Sequence, residues 1–201
     1  PSASVEIGHV SLGTDPDTDK PRRTGAFAVH RDRVLFVTGS GKDATLGLLD
    51  AKASEPTLVS VKLPGAAGTK PVTPACVRTS RGKHYALIFH DAASVEEDEE
   101  EDGSDRPAET LAVIDLDPNG DDDFSDAAVA KTLPVGGSAV EGHGGHHAAA
   151  FDAGARRAYI TNPGDGTVTV LRLDTLEPWA TFKVGGKPES VIAVGGRETR
   201  N

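Results

Sequence analysis

Gly154-Ala-Arg-Arg-Ala-Tyr-Ile-Thr-Asn162, followed by the alternating run Thr167-Val-Thr-Val-Leu-Arg-Leu-Asp174, decides the fold. Each stretch is short and β-branched, and a Gly-rich turn separates the two, the pattern of two strands joined by a hairpin loop. The pair recurs twice upstream. Gly82-Lys-His-Tyr-Ala-Leu-Ile-Phe-His90 precedes Thr110-Leu-Ala-Val-Ile-Asp-Leu-Asp117, and Arg33-Val-Leu-Phe-Val-Thr38 precedes Thr45-Leu-Gly-Leu-Leu-Asp50. A further strand stands before each copy, at Ala26 to His30, Pro74 to Arg78 and Ala148 to Asp152. Another follows each, at Leu58 to Leu63, Ala128 to Val135 and Ala180 to Val184.

Four short strands per unit, repeated without helical periodicity, are the signature of an all-β propeller built from four-stranded antiparallel blades. The expected blades span about 24–65, 73–136 and 146–186 of a single domain over 1–201, with flanking strands at 5–12 and 189–194. An acidic insertion occupies 94–109. Propellers close with about four to eight blades. Three units are therefore expected to be part of a larger propeller, completed by another chain or by further blades.

Within this frame, Arg157-Ala-Tyr-Ile-Thr-Asn162, Gly166-Thr-Val-Thr-Val170 and Thr181-Phe-Lys-Val-Gly-Gly-Lys-Pro188 resemble the YVTN propeller repeat. The third unit carries the likeness best, and Thr38 and Phe89 mark departures in the first two. The resemblance implies the propeller fold over about residues 24–196. Similar proteins include surface-layer propellers, periplasmic metal chaperones and propellers that accompany redox cofactors, which implies a periplasmic or secreted location.

Composition narrows the function. A formal net charge of -10 disfavours nucleic acid and anionic membrane surfaces and suits cations. No apolar run is long enough to span a bilayer. Cys76 is the only cysteine, so neither an internal disulfide nor a thiolate zinc cluster can form. Neither a Gly-x-Ser-x-Gly elbow nor a Cys–base pair suggests nucleophilic catalysis.

Two constellations carry chemistry. Glu141-Gly-His-Gly-Gly-His-His147 joins the second blade to the third. Imidazole is the commonest protein ligand for metals near neutral pH, and the glycines let the backbone curl round an ion. His143, His146 and His147 are therefore expected ligands for zinc or copper. His90 should join them at the same rim, because it ends a strand on that side. The acidic run Ser94 to Asp105 would sit beside them as a solvated collector of cations.

The second constellation is Asp115-Leu-Asp-Pro-Asn-Gly-Asp-Asp-Asp-Phe-Ser-Asp126, on the opposite face. Asp115, Asp117, Asn119 and Asp126 fit the spacing of a calcium loop, although Pro118, Asp122 and the lack of flanking helices depart from it. An acidic hairpin loop turning at Asp-Pro-Asn-Gly is the simpler account. The sequence thus points to an exported metal-binding propeller. A copper-bearing redox enzyme or its electron-transfer partner, and a metal-free surface module that binds protein, are the alternatives. A lactonase-like hydrolase is a more distant one.

Overall fold

A computed structural model describes residues 9–15, 18–39, 43–50, 52–53, 56–64, 73–90, 109–137 and 147–194. Among these residues, twelve strands form three antiparallel sheets of four. The first blade holds β1 (Thr24–His30), β2 (Arg33–Thr38), β3 (Thr45–Asp50) and β4 (Leu58–Lys62). The second holds β5 (Ala75–Arg78), β6 (His84–His90), β7 (Thr110–Asp115) and β8 (Ala128–Pro134). The third holds β9 (Ala149–Phe151), β10 (Arg157–Asn162), β11 (Thr167–Arg172) and β12 (Glu177–Lys183). Strands pair in chain order within each sheet, the meander of a propeller blade.

Alternation along the strands builds the core. In β2 and β3, Leu35, Val37, Leu46 and Leu48 face the second blade and meet Ala86, Ile88, Ala112 and Ile114. The opposite parity of the second blade, including Tyr85, Leu87, Phe89, Leu111 and Val113, meets Ala158, Ile160 and Leu171 of the third. Each sheet thus buries a face against its neighbour. Inner strands that are covered on both faces read as continuous apolar runs, as Ala86-Leu-Ile88 does.

The faces turned away from any described blade differ. Phe27 and Val29 of β1 and Trp179 and Phe182 of β12 are exposed. The molecule is a partial propeller, and apolar side chains on its end blades suit packing against further blades.

The described parts of the two flanking segments lie outside the three sheets. Residues 189–194 form no strand, since nothing among the described residues pairs with them, and a strand is defined by its ladder. Of 5–12, only 9–12 are described, and they too are outside any strand. Between β7 and β8 the chain adds one short 3-10 turn, Phe124–Asp126, which the strand periodicity did not announce. Its Phe124 ring plugs the core shared by the first two blades.

Candidate metal centre

The joint between the first two blades brings together two histidines and two aspartates that lie far apart in the chain. His30 ends β1 and His84 begins β6, so both stand at the same rim of neighbouring sheets. Parity then turns both rings inward: His84 shares the face of Ala86 and Ile88, and His30 that of Ala28, all facing the shared core. His30 Nε2 lies 2.8 Å from His84 Nδ1. Phe124 closes the apolar side, 5.4 Å from the His84 ring and 6.3 Å from that of His30.

The loop from β7 to β8 supplies the carboxylates. Asp117 is only 3% exposed. Its Oδ1 accepts the backbone N–H groups of Gly120 at 2.8 Å and Asp121 at 3.0 Å, and its Oδ2 accepts that of Asp122 at 3.2 Å. One side chain therefore organises the whole turn and delivers Asp122 to the rim. Asp122 Oδ1 stands 3.9 Å from His84 Nε2 and 3.4 Å from the Arg31 guanidinium. One potential ligand atom from each of His84, Asp117 and Asp122 falls within 4.8 Å of the others. Zinc bonds of about 2.1 Å at the tetrahedral angle would need donors about 3.4 Å apart, so small side-chain adjustments bring this set to bonding distance.

Protonation favours a lone pair on His84. Burial, then the charges of Arg31 and Arg78, push its pKa down, partly opposed by Asp122 and Asp117. Burial, then His84, pushes His30 down to about 4. Both rings are neutral at pH 7, so one proton lies between the two facing nitrogens. If His84 Nδ1 donates it to His30 Nε2, the lone pair of His84 Nε2 turns toward the carboxylates. Such a partner on the far nitrogen is how metal-binding imidazoles are held in one tautomer.

The His30 shift has a consequence for stability. Its folded value of about 4 lies below the ordinary 6.5. Between those values the unfolded chain binds a proton that the folded chain refuses, so stability rises with pH there and is lost as pH falls. The loss on acidification from pH 7 to below 4 is expected to approach about 3 kcal/mol. Urea unfolding at a series of pH values should show this slope, and His30→Asn should flatten it. An unchanged slope in the variant would assign the acid sensitivity to other groups.

The residues expected from the sequence divide as follows. His143 and His146 lie outside the described residues, as does the acidic run of 94–105. His90 closes β6 in register with Thr110, and its side chain is outside the described set. His147 does stand near that strand end, stacked on Phe89 with ring centroids 4.7 Å apart. Its nitrogens are already engaged. Nδ1 lies 2.6 Å from the Thr161 carbonyl oxygen, and Nε2 lies 2.6 Å from Glu109 Oε2. With 2% of its side chain exposed, His147 ties the second blade to the third and has no nitrogen to offer an ion in this arrangement.

Of the calcium set, only Asp117 belongs to the cluster. Asp115 pairs with Lys83 at 3.2 Å and caps the Asp117 N–H, while Asn119 is exposed. Both carboxylate oxygens of Asp126 are buried without a hydrogen-bond partner among the described residues. Cys76 is inert, because burial pushes its thiol up to about 12.

His30 and His84 were not singled out in the sequence. The available signal was parity: counting by twos from the core residues Ala86 and Ala28 puts both on inward faces at one rim.

The fold and site define a β-propeller with a His/Asp cluster at a blade joint. No family model matches the chain, and no curated protein sequence does. Solved structures match by shape. Kuenenia stuttgartiensis hydrazine synthase superposes with a TM-score of 0.56 at 15% identity, over 90% of this chain and 55% of that one. The Myceliophteria thermophila Cps50 (Swd1) β-propeller domain gives 0.53 at 15%, over 88% and 48%. Apo AztD from Citrobacter koseri gives only 0.36 at 14%, over 84% and 50%, too low to bear on the fold. The chain spans about half the length of these structures. At such identities the likeness establishes the propeller and nothing about activity.

Proposed function

We propose that the chain is a metal-binding propeller that holds Zn(II) at the joint of its first two blades, through His84, Asp117 and Asp122. The observation that carries this reading is the approach of three ligand atoms, one imidazole nitrogen and two carboxylate oxygens, within 4.8 Å, two of them on buried side chains. A nitrogen with two carboxylates suits zinc better than calcium or magnesium, which prefer all-oxygen shells. Copper(II) is the nearest competitor by ligand type. Three protein ligands leave a coordination position open, which suits an ion that must be exchanged rather than locked in. The loop histidines His143 and His146 are proposed as a second, separate point of capture, with His90 at their rim. The repeat spacing that resembles the YVTN family supports an exported protein of this kind.

Calorimetric titration of the metal-free chain with zinc tests the proposal. Wild type should bind, and His84→Gln or Asp122→Asn should weaken that binding at least tenfold, in line with the loss of one ligand. A His143→Ala/His146→Ala variant should keep the joint site. Affinity should fall with pH, because protonated imidazole cannot ligate. Zinc binding indifferent to His84→Gln would overturn the assignment.

A further inference from the structure

We propose that Arg31 is a built-in counter-cation for this centre, one that a metal ion must displace. The inference rests on the zinc reading above and adds a residue that sets its affinity. Two observations carry it.

The first is geometric. Arg31 Nη1 is 3.4 Å from Asp122 Oδ1, the same oxygen that faces His84 Nε2 at 3.9 Å. The guanidinium thus engages the carboxylate atom a zinc ion would share with His84. It lies on the solvent side of the cluster, with its side chain 41% exposed and that of Asp122 62% exposed. A pair this wet is held weakly and exchanges readily.

The second is conformational. Arg31 occupies the two-residue turn between β1 and β2 with φ of 54°. That left-handed region is costly for any side chain with a Cβ, and glycine is the usual occupant of such a turn position. Across the joint, Asp122 is left-handed as well, with φ of 63°. Aspartate tolerates that region, so the strain sits at Arg31, whose side chain meets that of Asp122. Strain concentrated at such a point suggests that the side-chain contact, rather than the turn, requires Arg31.

With the ion absent, Arg31 neutralises Asp122 and keeps the carboxylate beside His84. With the ion entering, the guanidinium swings into water, and the reverse swing assists release. The cost of displacement is the energy of an exposed ion pair, which corresponds to about a fivefold change in affinity.

The test is zinc titration of the metal-free chain, comparing wild type with Arg31→Gln, Arg31→Lys and Arg31→Gly. The signal of interest is the part of zinc uptake that His84→Gln removes, which separates the joint from the histidine loop. Arg31→Gln should bind about fivefold more tightly at low salt, with the gain shrinking as salt screens the charge. Arg31→Lys should stay within about twofold of wild type, since the charge is kept. Arg31→Gly relieves the left-handed turn, so a fold at least as stable as wild type is expected, with the same gain in affinity. Equal or weaker binding by both uncharged variants, with wild-type uptake still lost in His84→Gln, overturns the counter-cation role alone. Zinc uptake that His84→Gln leaves intact overturns the zinc site itself.

Discussion

Replacing Asp117 by Ala is expected to lower stability by about 3 kcal/mol and to abolish zinc binding at the blade joint. The size follows from what the carboxylate does. It accepts three consecutive backbone N–H groups, from Gly120, Asp121 and Asp122, between 2.8 and 3.2 Å. Bonds to a charged acceptor contribute about 1.5–3 kcal/mol each, and water recovers part of the loss because these amides lie in an exposed turn. Without that anchor the loop no longer fixes Asp122 beside His84, so two ligands fail together. For a chain of this size the thermal midpoint should drop by about 10 °C. Asp117→Asn separates the roles: one carbonyl oxygen still accepts amides, so most stability should return while zinc binding stays impaired. Thermal unfolding and zinc titration on both variants check this, and full zinc affinity in Asp117→Ala would remove Asp117 from the ligand set.

His147→Ala should be the most destabilising single change on the other side of the molecule, by about 3–5 kcal/mol. The ring bridges Glu109, at the start of β7, to the Thr161 carbonyl of β10, and stacks on Phe89. The Glu109 side chain is 12% exposed, so deleting the imidazole takes a 2.6 Å contact from a carboxylate in a poorly hydrated place and leaves a cavity against Phe89. Denaturant unfolding measures the loss. A double-mutant cycle with Glu109→Gln should give a double variant less damaged than the sum of the singles, with a coupling above about 1 kcal/mol. Simple additivity would mean that the pair does not act as a unit. Zinc binding at the first joint should survive in all of these variants, because His147 belongs to the opposite rim and the next blade interface.

The architecture was legible because a propeller writes itself as repetition. Leu35 and Val37 of the first blade recur as Leu87 and Phe89 of the second, Ala86 and Ile88 of the second recur as Ala158 and Ile160 of the third, and a period of two assigns each pair to one face of its sheet. The strand ends agree with the sequence reading to within a few residues, because the turns carry glycine or acidic residues where the ladder must stop. Residues 189–194 stand outside any strand, with no ladder partner among the described residues.

The site was less legible, for a different reason. The histidine loop was conspicuous because its ligands are adjacent in the chain. Yet the one member of that loop whose surroundings are described, His147, is spent on Glu109 and Thr161. The cluster at the first joint was inconspicuous because 54 residues separate His30 from His84, and each reads alone as an ordinary strand-end residue. Asp117 was noticed within a linear set with Asp115, Asn119 and Asp126, whereas the fold also brings it within ligand distance of His84.

What the sequence determined by itself was the blade: strand, turn and parity are local properties, dictated by residue type and a period of two. Which side chains meet was decided only by stacking one sheet on the next. The inward parity of His30 and His84 becomes a shared site only once the first blade lies on the second. The acidic turn then faces them because Asp117 binds its own backbone, and no reading along a single strand contains that distance.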